Sequence, residues 1–151
     1  MRRLVTLFLG VFALSFFSAL AAEHSPLTIY TKDGEQRLEL ELAVTPEQRM
    51  VGLQNRTSLP PGGGMLFVFP QPTTAGFWMK DTLIALDIIF IDENYSIIHI
   101  EHNALPHTLQ HRTPGKPYFS VVELRGGAAK KRGIAKGDRV RFHLPQHIKV
   151  R

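Results

Sequence analysis

The sequence predicts a mainly β, β-rich α+β domain: an antiparallel, barrel-like sheet of seven or eight short strands with two short helices. Three observations carry this expectation. Apolar or alternating runs of about four to eight residues recur along the chain, separated by clusters of Gly, Pro, Asn and Asp. Only two segments carry helix-boundary signals. No strand–helix–strand unit repeats, so a doubly wound parallel sheet is not expected.

The elements follow in order. Leu27 to Thr31 is β-rich, and Asp33-Gly34 suits a tight hairpin turn. Leu38, Leu40 and Leu42 then alternate with Arg37, Glu39 and Glu41, the period of a half-buried strand. Thr45-Pro46-Glu47-Gln48 has the form of a capping box, with Pro46 as the first helical residue. This helix is expected to run to about Gln54, with Met50 and Leu53 facing inward. Asn55 to Gly64 reads as a loop, and Met65 to Phe69 as a central strand that Pro70 to Ala75 breaks. Two more apolar bursts follow, at Phe77-Trp78-Met79 and at Ile84 to Ile91, the second interrupted by Asp87. Asp92 to Tyr95 is a turn leading into a strand at Ser96 to Glu101. His102 to Pro117, with three prolines and a glycine, reads as a long loop of a kind usually tied to function. Tyr118 to Leu124 is a strand, Gly126 to Arg132 a short helix closed by Gly133, and Arg139 to Leu144 an alternating strand.

The first 22 residues read differently. Arg2 and Arg3 precede an apolar run from Leu4 to Phe17, and Ser18 to Ala22 are small apart from Leu20. That is the layout of a secretory signal peptide, with cleavage expected after Ala21 or Ala22. The alternative is an uncleaved membrane anchor over residues 4–22, just long enough to span. Residues 23–151 then form one domain, exported to the periplasm or beyond. The chain has no cysteine, which excludes a disulfide scaffold, a thiol nucleophile and a thiolate metal site. Gly62-Gly63-Gly64 fits neither nucleotide-binding loop pattern and reads as a turn.

The order of several motifs carries a resemblance. Arg49-Met50-Val51-Gly52-Leu53, with Arg56, leads to Gly64-Met65-Leu66-Phe67-Val68-Phe69. Phe77-Trp78-Met79-Lys80-Asp81-Thr82 and Leu86-Asp87-Ile88-Ile89-Phe90-Ile91 follow. Glu123-Leu124, Gly127-Ala128-Ala129 and Gly133 to Asp138 complete the set. The chain resembles the bacterial and archaeal domain of unknown function 192 family, also called uncharacterised protein family 0127, over about residues 27–145. The resemblance implies a compact β-rich domain, often behind a signal peptide or anchor, and implies no reaction. Asp81 stands where that family more often has Asn, and Ala85 where it often has Pro.

The residues out of place are polar ones set among apolar motifs. Lys80 and Asp81 follow the Phe77-Trp78-Met79 burst, Asp87 sits inside a strand, and Glu123 shares a strand face with Val121 and Phe119. Isolated buried charges are costly, so these are expected to be paired or to line a cleft, with Arg49 and Arg56 as partners. The first expectation is a non-catalytic ligand-binding or accessory domain of the cell envelope. Its site would comprise Arg49, Arg56, Trp78, Lys80, Asp81, Asp87 and Glu123. A structural ion-pair network is the plain alternative. A second alternative is a hydrolase using the Asp81, Asp87 and Glu123 carboxylates, although no serine lies in a nucleophile motif. A third is a metal site made from His99, His102, His107 and His111, one on a strand and three on a loop. No cofactor is required by the sequence.

Charge is unevenly spread. Residues 125–151 hold nine basic residues and one acidic, whereas residues 23–124 hold seven basic and twelve acidic. The basic segment suits an anionic membrane surface or envelope polymer. Nucleic acid is not an expected partner, because the leader directs the chain away from it and stacking aromatics are missing apart from Phe142.

Overall fold

The structure is a computed structural model that describes residues 22–151. The expected signal segment, residues 1–22, lies outside the described residues except for Ala22. The elements are β1 (His24–Thr31), β2 (Gly34–Ala43), α1 (Pro46–Val51), β3 (Gly64–Thr73), β4 (Leu86–Ile91), β5 (Ile97–Ala104), β6 (Tyr118–Arg125), α2 (Ala128–Lys131) and β7 (Arg139–Phe142). Among the described residues no helix is long and apolar enough to cross a membrane.

The seven strands form one sheet in the order β5-β4-β6-β3-β2-β1-β7. The β-rich class with two short helices is as expected. Two features of the topology differ. β2 and β3 pair in parallel, because α1 and the loop after it carry the chain back across the sheet before β3 begins. The sheet also curls without closing. Its edge strands meet only at one end, at a bridge between Ser96 and Arg139 and hydrogen bonds linking Ile97 with Gly137 and Asp138.

Local chemistry explains most elements. The Thr31–Gly34 register leaves a two-residue hairpin turn, and Gly34 takes φ +115°. Thr45 caps α1 by accepting from the Gln48 amide, while the Gln48 side chain accepts from the Thr45 amide. The helix ends at Val51, earlier than expected, at Gly52 with φ +50°. Met50 is 66% exposed rather than inward, and only Leu53 beyond the helix is buried. β3 continues through Pro70 to Thr73, with its register on β6 shifting between Val68 and Thr73. The prolines, which lack an N–H, fall within that irregular stretch. β5 reaches Ala104, which places His102 on a strand and shortens the loop to residues 105–117. That loop pairs with the 77–82 segment through Phe77 and Arg112, and Met79 N–H donates to the Thr108 carbonyl.

Two apolar clusters lie on opposite faces of the sheet. The inner one fills the curl with Leu27, Ile29, Leu40, Leu66, Ile89, Val122, Val140 and their neighbours, and Ala129 of α2 plugs one end. The outer one covers β4, β6 and β3 with Met65, Phe67, Ile88, Phe90, Tyr118 and Val121, roofed by Leu53, Leu59 and Met79. Burial of this kind contributes roughly 25 cal/mol per Å² of apolar surface. The outer cluster is the one that bears on function, because its roof is incomplete.

Candidate functional site

A cavity of about 340 Å³ opens where the roof over the outer face leaves a gap. One wall is α1 and its exit, Arg49 to Gln54; the other is the 75–82 segment. Phe67, Phe69 and Phe77 give it an aromatic lining, and Trp78 and His111 stand at the mouth. Phe77 meets Phe67 edge-on at 5.1 Å and Phe69 at 6.5 Å, so the lining is held in place by its own packing.

Glu123 lines this cavity from the sheet itself. It is 5% exposed and its carboxyl has no hydrogen-bond or ion-pair partner among the described residues. Burial pushes its pKa up to about 8, so the group is a neutral acid at neutral pH. Strand pairing explains its position. Glu101, Ile88, Glu123, Met65 and Glu41 are register partners on β5, β4, β6, β3 and β2, so all five point to the outer face. Three glutamates thus alternate with two apolar residues across the sheet, roughly 10 Å apart by strand spacing. Arg56 grips Glu41 with two hydrogen bonds, at 3.0 and 2.6 Å. Arg112 sits 3.5 Å from Glu101. Among the described residues the central glutamate alone is paired with no arginine.

The expected site residues divide into two groups. Arg49, Trp78, Lys80 and Glu123 line the cavity. Arg49 is largely committed to structure: Nη1 donates to the Val44 and Val68 carbonyls at 2.8 and 2.9 Å, and Nη2 donates to the Arg151 carbonyl. It also lies over the Phe69 ring, and partial burial lowers its pKa. Lys80 is exposed, with Nζ 5.6 Å from the centre of the Trp78 ring.

Arg56, Asp81 and Asp87 do not line the cavity. Arg56 is occupied by Glu41. Asp81 is exposed at φ +53°, a left-handed conformation that Asp and Asn tolerate better than other side chains, and its carbonyl accepts from the Asn55 amide. That backbone geometry accounts for Asp or Asn at this position without an amide donor. Asp87 is fully buried, one residue out of phase with Ile88, and so faces the opposite side of the sheet from Glu123. Its carboxylate accepts from the amides of Asn103, Gly127 and Ala129 at 2.8, 3.1 and 2.8 Å. It pins α2 into the end of the curl. Phe119, expected beside Glu123, packs instead against the inner cluster, because the chain turns over in the irregular stretch opposite Val68 to Thr73.

The acid–base constellation therefore does not assemble, since of the three carboxylates only Glu123 faces the cavity. The histidines also separate. His99 lies 3.8 Å from Glu101, His111 packs on Trp78 at 5.4 Å, and His102 and His107 are exposed. Among the described residues no three His, Cys, Asp or Glu side chains are grouped to hold a metal ion. Sequence reasoning missed the aromatic lining, and singled out His111 only as a metal ligand, not as a cavity residue. Phe67, Phe69 and Phe77 carried only an apolar signal, and their convergence on Glu123 depends on pairing between distant strands.

Known proteins share this architecture. The DUF192 family model, whose description is "Uncharacterized ACR", matches residues 28–142. A protein from Sinorhizobium meliloti 1021, described provisionally as a transcription regulator, is 35% identical with a TM-score of 0.77. The match covers 80% of this chain and 95% of that one. A protein of unknown function from Novosphingobium aromaticivorans DSM 12444 is 34% identical with a TM-score of 0.78, over 82% of this chain and 89% of that one. No curated protein sequence matches. With the family model spanning nearly every strand described above, the chain belongs to the DUF192 family.

Proposed function

We propose that the protein is a non-catalytic, exported ligand-binding domain whose site is the aromatic cavity over Glu123. The observation that carries this reading is a buried carboxyl, without a partner among the described residues, at a mostly apolar, aromatic-lined cavity. Such a group costs stability unless something that enters the cavity satisfies it. A few polar groups within an apolar concavity are the usual make-up of a small-molecule site. Glu123 is the one carboxyl in the lining, and His111 and Lys80 are drawn to Trp78 at the mouth, so the cavity favours binding over hydrolysis.

Trp78 is the only tryptophan in the chain, so its emission reports on the cavity mouth alone. Titration with small aromatic alcohols and amines is expected to give a saturable change in that emission. A response that stays linear for every compound refutes the reading.

The export part rests on the pattern of residues 1–22. Intact mass of the protein from a periplasmic fraction is expected to begin at residue 22 or 23; a chain that starts at Met1 in the cytosol refutes it. The basic segment 125–151 is assigned to anionic envelope surfaces, with binding to anionic vesicles that weakens as salt rises. The transcription-regulator description of the Sinorhizobium protein is not carried over. The two helices described here have six and four residues, too short to serve as a groove-reading element.

A further inference from the structure

We infer that the cavity takes an organic monocation, a primary amine or guanidinium on an aromatic or aliphatic body, whose charge pairs with Glu123. The inference rests on the cavity being a ligand site and names the class of ligand. Three observations support it. First, the sheet's outer face holds three glutamates in one cross-strand row, and each flanking one is matched by a guanidinium: Glu41 by Arg56 and Glu101 by Arg112. Glu123 between them is the most deeply buried of the three and has neither cation nor hydrogen-bond donor among the described residues. A ligand cation would complete the pattern. Second, the walls between mouth and carboxyl are aromatic, and ring faces attract organic cations. The molecule already uses this property, because Arg49 lies 5.0 Å from the Phe69 centroid and Lys80 5.6 Å from that of Trp78. Third, there is a single carboxyl and about 340 Å³ of space, which suits one charge and a small body.

The charged groups nearby do not compensate Glu123. From α1, Arg49 is held by three carbonyls, and burial is the sole cause of the Glu123 shift. From the 75–82 segment, Lys80 and Asp81 are exposed, where solvent screens them. From the 105–117 loop, His111 stands at Trp78 and Arg112 beside Glu101. The strands on either side offer only Ile88 and Met65 at the same level. A bound cation stabilises the carboxylate form, so binding releases the proton that Glu123 holds when the cavity is free of ligand. Affinity for a cation must then rise with pH, by about tenfold between pH 7 and pH 8.5, a range above ordinary histidine titration.

The test uses three probes of similar shape: 2-phenylethylamine, 2-phenylethanol and 3-phenylpropionate. Each is titrated against the full chain at pH 7 and pH 8.5, with Trp78 emission as the readout. The amine is expected to bind at least about tenfold tighter than the alcohol at pH 8.5, the propionate weakest of all, and the amine alone to tighten with pH. Glu123→Gln, checked for folding by circular dichroism, is expected to lose both the amine preference and its pH dependence. Saturable binding of the alcohol with no amine preference, or an amine affinity that falls as pH rises, overturns the inference and leaves the cavity reading standing. Failure of all three probes to give a saturable signal overturns both.

Discussion

Glu123→Gln should stabilise the protein at alkaline pH, and the size of the effect follows from the position of this one side chain. In the folded protein burial holds the carboxyl as a neutral acid up to about pH 8, against 4.5 for the unperturbed group. Between those two values the native state keeps a proton that the unfolded chain has released. Stability therefore falls as pH rises through this window, by about 1.4 kcal/mol per unit, and levels off above it. The full shift corresponds to about 5 kcal/mol, a large part of the 5–15 kcal/mol that holds a typical domain together. Glutamine is nearly isosteric and has no charge to bury. The assay is urea unfolding of both proteins from pH 5 to pH 9. The two are expected to be similar near pH 5 and to diverge steadily until the variant is several kcal/mol more stable above pH 8. Taking the difference between the proteins cancels the contribution of every group other than Glu123. Parallel stability curves for the two proteins across the whole range would refute the reasoning, because Glu123 would then ionise without penalty.

Three further outcomes follow from other positions. Asp87→Ala removes the acceptor shared by three amides at the end of the curl, at least one of them in a buried contact, and should cost about 3 kcal/mol or more in urea unfolding, with α2 losing hydrogen-exchange protection first. A Cβ at Gly64 would lie 2.1 Å from the Glu123 carbonyl oxygen, so Gly64→Ala must push β3 from β6; a loss of about 3 kcal/mol and a weakened Trp78 response to ligand are expected. Arg56→Ala breaks a partly exposed pair and should cost less than about 1 kcal/mol while leaving the Trp78 titrations unchanged, which separates Arg56 from the cavity.

Much of the architecture was legible in the sequence because it depends on neighbours. The alternation of Leu38, Leu40 and Leu42, the Thr45–Gln48 capping box and the Asp92–Tyr95 turn, where Asp92 Oδ1 accepts from the Asn94 and Ser96 amides, each involve residues a few positions apart. The departures occurred where a distant partner prevailed. Pro70 and Pro72 lie within β3 because the strand reaches Thr73 after a shift of register, and Met50 is exposed because the wall it would meet is the cavity mouth.

The polar outliers show the same division. Asp87 and Glu123 are both acids inside apolar strands, and local pattern gives them equal standing. Strand pairing separates them: Asp87 opposes Leu124, while Glu123 opposes Ile88, which places them on opposite faces. One finds three amide donors, from Asn103 of β5 and from Gly127 and Ala129 at the start of α2; the other finds an aromatic cavity and no partner among the described residues.

By itself, then, the sequence determined the β-rich class, the short capped helix, the family, the cysteine-free chemistry and the presence of acids in apolar surroundings. Only the tertiary structure decided which of those acids is structural and which faces a cavity. The reason is physical: a strand's side chains alternate with a period of two, so local pattern assigns relative faces, but what each face meets depends on register and on the segments packed over it. Those contacts join β6 to β3, β4 and the 75–82 segment across distances that no local pattern spans.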